Sequence, residues 1–538
     1  MKKYSYIKGT TDIPLLQETI GANLKNMVAT FPDNEALVSV RQNYRITYRE
    51  LWQQTAQVAK AILAAGLKKG DRLAIWAMNR YEWTLVQYAT ARIGVILVNV
   101  NPAYRSSELE YVLNQSGASM LLSASTFKTS NYDFIAKEVL PNTQVIKAIF
   151  FDKDWDEFIQ SGHGISEAAL GAAERNLHFD DAINIQYTSG TTGFPKGVTL
   201  SHSNILNNGY FIGLRLKYSE KDRVCIPVPF FHCFGMVIGA LACTAHGSTI
   251  VIPAESFDPT ATLQTVEQEK CTSLYGVPTM FITEMQLPNF SLYNLSLLRT
   301  GVMAGSPCPI EIMKNVQKKM NMKEVTVCYG MTETSPVSCQ TVIGAPLEKQ
   351  VSTVGTIHEH LEIKIVDPHT GDVVPIGTTG ELCTKGYSVM LRYWENEDAT
   401  AKVIDTDGYM HSGDEAIMDE DGYIKITGRI KDIIIRGGEN ISPLEVEQYL
   451  YTHPDVQDVQ VIGVPDEKFG EAVMAWVKLK NGVMPNSDSF LQFCDGKIAK
   501  YKIPYYWKFV EDFPMTVSGK VRKVEMREIS IKELGLKS

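Results

Sequence analysis

The chain has 538 residues, which is too long for one hydrophobic core, so two to four domains are expected. Its hydrophobic (44%) and charged (21%) fractions are those of a soluble globular protein. A net charge of −9 argues against a general nucleic-acid surface, and no 18-residue apolar run suggests a transmembrane segment. Nine cysteines without a C-x-x-C pair, and a start without an apolar signal region, favour a reducing cytoplasm.

The first two thirds of the chain alternate helix and strand patterns. Thr47 with Glu50, and Ser107 with Glu110, each form a capping-box pattern before an amphipathic segment. Residues 225–228 are among several short apolar runs that predict buried strands. Such alternation predicts an α/β fold, in which helices cover largely parallel sheets.

The last third of the chain contains two segments whose predicted secondary structure differs from that of the first two thirds. From 350 to 428 short strands and turns predict a β-rich subdomain, which completes a large N-terminal domain over 1–430. Residues 431–538 predict a small, mobile α+β domain, whose first helix is signalled by Ser442 and Glu445.

One polar stretch, residues 188–197, lies between a strand pattern at 183–187 and another at 198–200. Its three glycines allow successive N–H groups to point into one concavity, and its hydroxyls and lysine add further donors. This composition favours a phosphate cradle over an ordinary solvated loop. It is not a Walker A motif, because Lys196 follows Pro195 and precedes Gly197.

Two more polar turns containing glycine follow predicted strands. Gly305, Ser306 and Pro307 form one, and residues 329–334 form the other. Open α/β sheets bind ligands beyond the carboxyl ends of their strands, so both turns are candidate sites.

Six motifs in a fixed order resemble the signatures of adenylate-forming enzymes, a superfamily that includes acyl-CoA synthetases, peptide-synthetase adenylation domains and firefly luciferase. They occupy residues 188–197, 329–333, 412–414, 428–432, 437–440 and 514–520. Residues 99–105, 108–113 and 437–443 resemble medium-chain fatty acyl-CoA synthetases in particular. The resemblance covers essentially the whole chain. It implies activation of a carboxylic acid with ATP and Mg²⁺, followed by transfer to coenzyme A.

The resemblance also implies roles for single residues in the first step. Lys520 would bridge the carboxylate and the α-phosphate, Thr332 would bind phosphate, and Glu333 would bind Mg²⁺. Asp414 would bind the ribose hydroxyls, Arg429 ribose or phosphate, and Tyr329 the adenine. The remaining nucleotide-site residues are Thr188, Ser189, Gly190, Thr191, Thr192, Gly193, Lys196, Gly305, Ser306, Pro307, Gly330 and Met331.

A second set of residues belongs to the coenzyme A step. By resemblance, His232 gates the acyl pocket against the path of the thiol, and the C-terminal domain swings about Lys431. Pantetheine would pass Gly438, and Tyr501 and Lys502 would meet the nucleotide end of coenzyme A. Taken alone, His232 is more typical of a core histidine, and Asp414 and Arg429 of surface ion pairs.

The acyl pocket is expected between the helix after Gly235 and the strand at 301–305. The residues expected to line it are apolar: Met236, Val237, Gly239, Val302 and Met303. They favour a fatty or aryl acid over an amino acid.

Three other functions fit parts of this pattern. The chain could load a carrier protein in trans, or act as an aryl or 4-coumarate-type CoA ligase. A nucleotide-binding regulator without catalysis is the third, but the joint presence of Glu333, Asp414, Arg429 and Lys520 speaks against it.

Overall fold

The structure is a computed structural model that describes residues 3–188, 195–306, 308–517 and 519–536. In chain order the strands are β1 Tyr6–Lys8, β2 Glu35–Ser39, β3 Tyr44–Thr47, β4 Arg72–Trp76, β5 Ile96–Asn99, β6 Met120–Ser123, β7 Thr126–Phe127, β8 Ser130–Asn131, β9 Lys147–Phe150, β10 Ala182–Thr188, β11 Lys196–Ser201, β12 Arg223–Cys225, β13 Thr249–Ile252, β14 Ser273–Gly276, β15 Thr300–Ala304, β16 Glu324–Gly330, β17 Val337–Gln340, β18 Thr356–Ile357, β19 Leu361–Val366, β20 Gly380–Gly386, β21 Arg392–Tyr393, β22 Met410–Met418, β23 Ile424–Arg429, β24 Ile434–Arg436, β25 Glu439–Ile441, β26 Val456–Asp466, β27 Gly470–Leu479 and β28 Tyr506–Phe509.

The helices alternate with these strands. They are α1 Ile20–Thr30, α2 Tyr48–Ala64, α3 Tyr81–Ile93, α4 Ser106–Ser116, α5 Tyr132–Val139, α6 Trp155–Ser161, α7 Glu167–Arg175, α8 His202–Arg215, α9 Ala242–Thr244, α10 Pro259–Gln268, α11 Pro278–Met285, α12 Ile310–Lys319, α13 Leu347–Ser352, α14 Glu397–Ala401, α15 Pro443–Leu450, α16 Ser487–Cys494 and α17 Lys523–Leu534. A π-helical segment, Phe234–Leu241, runs directly into α9.

Two large, mainly parallel sheets form most of the N-terminal part. The seven-stranded sheet has the order β21-β11-β10-β5-β4-β6-β9, and the nine-stranded sheet has the order β18-β17-β16-β15-β14-β12-β13-β2-β3. Helix α3 is buried along almost its whole length, as expected of a helix covered on several sides. One apolar core joins both sheets, and a second core covers the other face of the nine-stranded sheet. The predicted α/β fold is therefore confirmed.

Two five-stranded sheets and the short two-stranded sheet β7-β8 complete the sheets of the described residues. The antiparallel sheet β1-β19-β20-β22-β23 is built mainly from the β-rich segment but also includes β1 from the N-terminus. Strand β21 leaves that segment to join the seven-stranded sheet, and β18 joins the nine-stranded one. The C-terminal sheet runs β25-β24-β27-β26, with β28 beside β27, and has an apolar core on each face.

Some local expectations need correction. The strand expected at 225–228 lies at Arg223–Cys225, because Pro227 has no N–H to continue the ladder. The Thr47–Glu50 capping box is present. Helix α4 begins at Ser106, where the Glu108 carboxylate accepts from the backbone N–H of Arg105 over 2.9 Å, so the box expected from Ser107 and Glu110 does not form.

The start of the C-terminal helix α15 follows the expectation only in part. It begins at Pro443, but the hydroxyl of Ser442 donates to the carbonyl of Thr427 instead of capping the helix. Throughout the described ranges, no helix combines the length and apolar character that crossing a membrane requires.

Candidate active site

The predicted phosphate loop joins two neighbouring antiparallel strands. Strands β10 and β11 form a hairpin whose last pair is Thr188 opposite Lys196. At its base, the hydroxyl of Tyr111 donates to the carbonyl of Pro195 over 3.1 Å. The backbone N–H of Trp394 donates to the carbonyl of Gly197 over 2.7 Å. The base of the hairpin is thereby fixed to α4 and to the β21 segment.

Ser189, Gly190, Thr191, Thr192 and Gly193 lie outside the described residues, as does Pro307 of the second predicted turn.

Glu333 lies in a tight turn beyond the carboxyl end of β16. The turn Thr332–Thr334 is buried, and Glu333 is 6% exposed. The hydroxyl of Tyr393 donates to Oε1 of Glu333 over 2.8 Å, and the N–H of Met390 donates to its backbone carbonyl over 2.9 Å. A side chain at Gly330 would start 1.8 Å from the carbonyl oxygen of Pro336, so only glycine fits there.

Asp414 and Arg429 face each other on the adjacent strands β22 and β23. Nε of Arg429 donates to Oδ1 of Asp414 over 3.0 Å, and the hydroxyl of Tyr329 donates to Oδ2 over 2.8 Å. Burial, reinforced by the Asp414 carboxylate, raises the pKa of Tyr329 well above its ordinary value. The phenol therefore stays protonated and remains a donor to this carboxylate.

Lys520 comes from the far end of the chain and reaches the same place. Its turn is closed by two hydrogen bonds with Thr516, one between the backbones and one to the hydroxyl. Gly519 adopts φ +80°, which L-residues rarely reach. A methyl group placed on Gly305 would lie 3.7 Å from Cε of Lys520. The lysine side chain therefore points at the predicted turn that contains Gly305.

The charge state of Lys520 reflects its surroundings. Burial lowers its pKa below the ordinary value of 10.5, and the nearby Arg429 lowers it further. The carboxylates of Glu333 and Asp414 oppose this and favour the ammonium form. The four charged residues of the predicted site thus interact electrostatically with one another.

His232 lies beside this cluster. Its Nδ1 accepts a hydrogen bond from the N–H of Phe234 over 3.1 Å. Burial, and then the Lys520 ammonium, lower the pKa of His232 to about 3, so the imidazole is neutral at physiological pH. The neighbouring Cys233 places its sulfur 3.8 Å from the Thr332 hydroxyl. His232 thus lies just before the π-helical segment, and its neighbour Cys233 contacts the turn Thr332–Thr334.

The residues predicted for coenzyme A lie elsewhere. Gly438 belongs to the two-residue turn between β24 and β25, with open space where a side chain would be. The carbonyl of Tyr501 accepts from Arg436 over 2.9 Å, and Lys502 pairs with Glu445 at 2.6 Å. Lys431 is exposed in the turn that follows β23. The contacts described for Tyr501 and Lys502 are with residues of the C-terminal part.

Comparison with known families identifies this arrangement. The family model of the AMP-binding enzyme matches residues 24–394, and that of the AMP-binding enzyme C-terminal domain matches 445–520. The chain belongs to the AMP-binding enzyme family. Like other members of this family, it is an adenylate-forming enzyme that binds ATP.

Full-length relatives support the assignment. The chain is 47% identical to a putative acyl-CoA synthetase, YngI, of Bacillus subtilis, over 97% of this chain and 99% of that protein. It is 43% identical to the mitochondrial medium-chain acyl-CoA ligase ACSF2 of Danio rerio, over 99% and 91%.

Solved structures of AMP-binding enzymes share the fold. An anthranilate CoA ligase, AuaEII, in complex with anthranoyl-AMP superposes with a TM-score of 0.88 at 25% identity, over 98% of this chain and 99% of the other. ATP-bound MatB from Rhodopseudomonas palustris gives 0.82 at 27% identity, over 96% and 99%.

Sequence reasoning missed Tyr393, which connects two predicted site elements of this AMP-binding enzyme. Its hydroxyl holds Glu333, and its ring centroid lies 5.0 Å from the ammonium nitrogen of Lys196. The only sequence signal is the aromatic pair Tyr393-Trp394. That signal says nothing about a partner sixty residues earlier.

The expected acyl pocket divides between two cores. Val302 packs in the core that also contains Met236 and Val237, whereas Met303 packs in the core on the other face of the sheet. Successive side chains of a strand point to opposite faces, so Val302 and Met303 cannot line the same wall. Met303 is therefore removed from the expected pocket.

Proposed function

We propose that this AMP-binding enzyme is an AMP-forming acyl-CoA synthetase that acts on a medium-chain fatty acid. In the first step the carboxylate attacks the α-phosphate of ATP, giving acyl-AMP and pyrophosphate. In the second step the coenzyme A thiol attacks the acyl carbon, and AMP leaves with the bonding electrons. The observation that carries the proposal is the convergence of Lys520 with Glu333, Asp414 and Arg429 from distant parts of the chain.

Lys520 would reduce the main obstacle to the first step, which is the repulsion between the anionic carboxylate and the anionic α-phosphate. Two unit negative charges about 4 Å apart repel by about 4 kcal/mol at an effective dielectric near 20. An ammonium group between the carboxylate and the α-phosphate cancels much of this repulsion and aligns the attack. Because the carboxylates of Glu333 and Asp414 oppose the lowering of the pKa of Lys520, they help to keep this ammonium charged.

The donor set around Glu333 fits Mg²⁺. Tyr393 engages Oε1, and no hydrogen bond to Oε2 occurs among the described contacts, so this oxygen is available to a hard cation. Mg²⁺ held there would neutralise charge on the phosphate oxygens. Thr332, Lys196 and the loop residues 188–193 would hold the phosphates from the other side.

The nucleotide would lie across the ends of β16 and β22. Asp414 offers both carboxylate oxygens to the ribose hydroxyls, and Arg429 adds a donor to ribose or phosphate. Tyr329 with Gly330 and Met331, and Gly305 with Ser306 and Pro307, would enclose the base.

The second step requires a different arrangement of the chain. We assign 1–430 to the N-terminal domain, with 350–428 as its β-rich part, and 431–538 to a mobile C-terminal domain that turns about Lys431. Rotation would withdraw Lys520 and bring Gly438 to the pantetheine path, where the open space at its missing side chain suits close approach. His232 would separate the acyl group from the thiol until then. Tyr501 and Lys502 would then meet the coenzyme A nucleotide.

The medium-chain preference rests on the relatives described above. Apolar Met236, Val237, Gly239 and Val302 support an aliphatic acyl group. All nine cysteines are free thiols, which suits a reducing compartment such as the cytoplasm.

Release of AMP, measured with and without coenzyme A, tests the proposal. Acids from acetate to stearate and a set of aromatic acids are supplied with ATP and Mg²⁺. We expect coenzyme A-dependent AMP release that is highest with medium-chain acids. A maximum with aromatic acids would show an aryl-CoA ligase. Pyrophosphate exchange without thioester formation would indicate a carrier-protein partner, and the absence of exchange with every acid would contradict catalysis.

A further inference from the structure

Asp414 lies in a pronounced bulge of strand β22. Opposite it on β20, Glu381 pairs with Glu415 and Cys383 pairs with His411, so Leu382 alone faces the three residues 412–414. Gly413, in the middle of the bulge, adopts φ +71°. Bulges of this kind turn a side chain out of the regular sheet and are frequent beside active sites. Here the bulge changes the direction of the strand at the residue proposed to bind ribose.

Side chains replace the ladder hydrogen bonds that the bulge removes. The Ser412 hydroxyl donates to the carbonyl of Leu382 over 2.7 Å, and the N–H of Asp414 donates to the Ser412 hydroxyl over 3.1 Å. The N–H of Gly413 donates to Oε1 of Glu381 over 2.9 Å. A charge-assisted hydrogen bond of this type is stronger than a neutral one. Glu381 therefore holds the peptide next to Asp414.

His411 holds Glu381 in turn. Its Nδ1 lies 2.8 Å from Oε2 of Glu381, and its Nε2 lies 3.5 Å from Oδ2 of Asp405, which also pairs with Lys364 at 3.1 Å. The hydrogen bond to Glu381 raises the pKa of His411 above its ordinary value. An imidazolium that donates to one carboxylate and faces a second fits this geometry.

The same residues could suggest a metal site, because donor atoms of Glu381, Cys383 and His411 lie within 4.8 Å of one another. The contacts argue against it. Both ring nitrogens of His411 already face carboxylates, and Oε1 of Glu381 is engaged by Gly413.

We infer that Glu381 and His411 are positioning residues, which fix the bulge of β22 so that Asp414 meets the ribose hydroxyls of the nucleotide. This inference rests on the proposed function, because that function assigns Asp414 to the ribose. Glu381 acts on the nucleotide through the Gly413 peptide, and His411 acts through Glu381.

The test uses the ribose itself as the probe. Dissociation constants of ATP and 2′-deoxy-ATP are measured on the full-length protein, and their ratio reports the hydroxyl contact. We expect the wild-type protein to prefer ATP by about tenfold or more, the size of one hydrogen bond to a charged group. Glu381→Ala should bring this ratio close to one, and His411→Gln should lower it partly.

Two further variants separate positioning from general stability. Glu381→Gln retains an oxygen that can accept from Gly413, so it should recover much of the wild-type ratio. Asp419→Asn changes another carboxylate that accepts from backbone N–H groups, those of Asp421 and Tyr423 at the β22–β23 turn, and should leave the ratio unchanged. The melting temperature of each variant is recorded, so that a loss of folding is not read as a loss of discrimination.

Each outcome decides a different point. Full discrimination in a folded Glu381→Ala protein overturns the inference and leaves the proposed function intact. Equal binding of ATP and 2′-deoxy-ATP by the wild type overturns the ribose assignment of Asp414, and the inference with it. Loss of discrimination after treatment with 1,10-phenanthroline, which leaves Mg²⁺ in place, would identify a metal site and also overturn the inference.

Discussion

The hydroxyl of Tyr393 donates a 2.8 Å hydrogen bond to Oε1 of Glu333, the proposed ligand of Mg²⁺. The face of the same ring lies near the ammonium of Lys196, at the base of the phosphate hairpin. Tyr393 is 4% exposed, so both interactions occur with little competition from water. One buried side chain therefore connects the proposed metal ligand to the proposed phosphate loop.

Tyr393→Phe should separate these two contacts. The ring remains for Lys196, but Glu333 loses its fixed orientation, so we expect an increased Mg²⁺ requirement and an adenylation rate about tenfold lower at limiting Mg²⁺. Pyrophosphate exchange measured against Mg²⁺ concentration checks this. Tyr393→Leu removes both contacts and should be more severely affected. An unchanged Mg²⁺ dependence in Tyr393→Phe would contradict the role given to the hydroxyl.

Lys520→Ala should affect only one half-reaction. Without the ammonium, acyl-AMP formation should fall by at least about a hundredfold, because charge stabilisation in a buried site is lost. Thioester formation from supplied acyl-AMP should stay within about threefold of wild type, because the proposed rotation would withdraw Lys520 before that step. The two half-reactions are assayed separately. Equal losses in both would contradict the assignment.

Gly519→Ala should impair the delivery of Lys520. Gly519 adopts φ +80°, and an added methyl would lie 3.0 Å from Cγ2 of Val277. The turn that places Lys520 beside Gly305 would therefore be strained. A cost of about 1–2 kcal/mol for φ alone predicts adenylation roughly tenfold slower, with the thioester step spared. Gly535→Ala is the matched control, because Gly535 has φ +63° with open space around it. Similar losses in both variants would point to a general loss of stability.

The buried Glu284 predicts a pH effect on stability. It is 1% exposed in α11, and neither carboxylate oxygen has a hydrogen-bond partner among the described residues. Burial raises its pKa well above the ordinary 4.5, so the folded protein keeps this proton after the unfolded chain has released it. Since the unfolded state then binds fewer protons, this group's contribution to stability falls as pH rises above 4.5.

Glu284→Leu removes this titration and should therefore be more stable than wild type at high pH. We expect an advantage over wild type that is largest at pH 8 and shrinks as the pH approaches 5, because the wild-type protein must keep a proton that its unfolded chain releases. Urea unfolding at several pH values measures it. Glu284→Gln also removes the titration but keeps a buried polar group. Its free energy of unfolding should therefore depend on pH in the same way as that of Glu284→Leu, with a smaller gain over wild type. A pH-independent difference would contradict the raised pKa.

Features encoded by neighbouring residues were predictable from the sequence. The Thr47–Glu50 capping box and the alternating strand before Thr188 depend on contacts within a few residues, and both appear in the structure. The convergence of Glu333, Asp414 and Lys520 was suggested only by the family resemblance.

Features that depend on distant parts of the chain were not predictable. The role of Tyr393 depends on β21 leaving its own segment to lie beside β11. The bulge at Asp414 depends on the register between β20 and β22. The opposite placement of Val302 and Met303 follows from strand pleating, but the core that each enters is decided by helices far away in sequence.

With the proposed ribose contact and pivot, the pairing of Arg429 with Asp414 would couple nucleotide binding to the mobility of the chain that follows. Arg429 is the last residue of β23, immediately before the turn Ile430–Asp432. A ribose hydroxyl bound as proposed would share Oδ1 of Asp414 with this guanidinium. In the proposed complex, a bound nucleotide would weaken this internal contact of the strand until AMP dissociates, so the residue before the proposed pivot at Lys431 would be held differently with and without nucleotide.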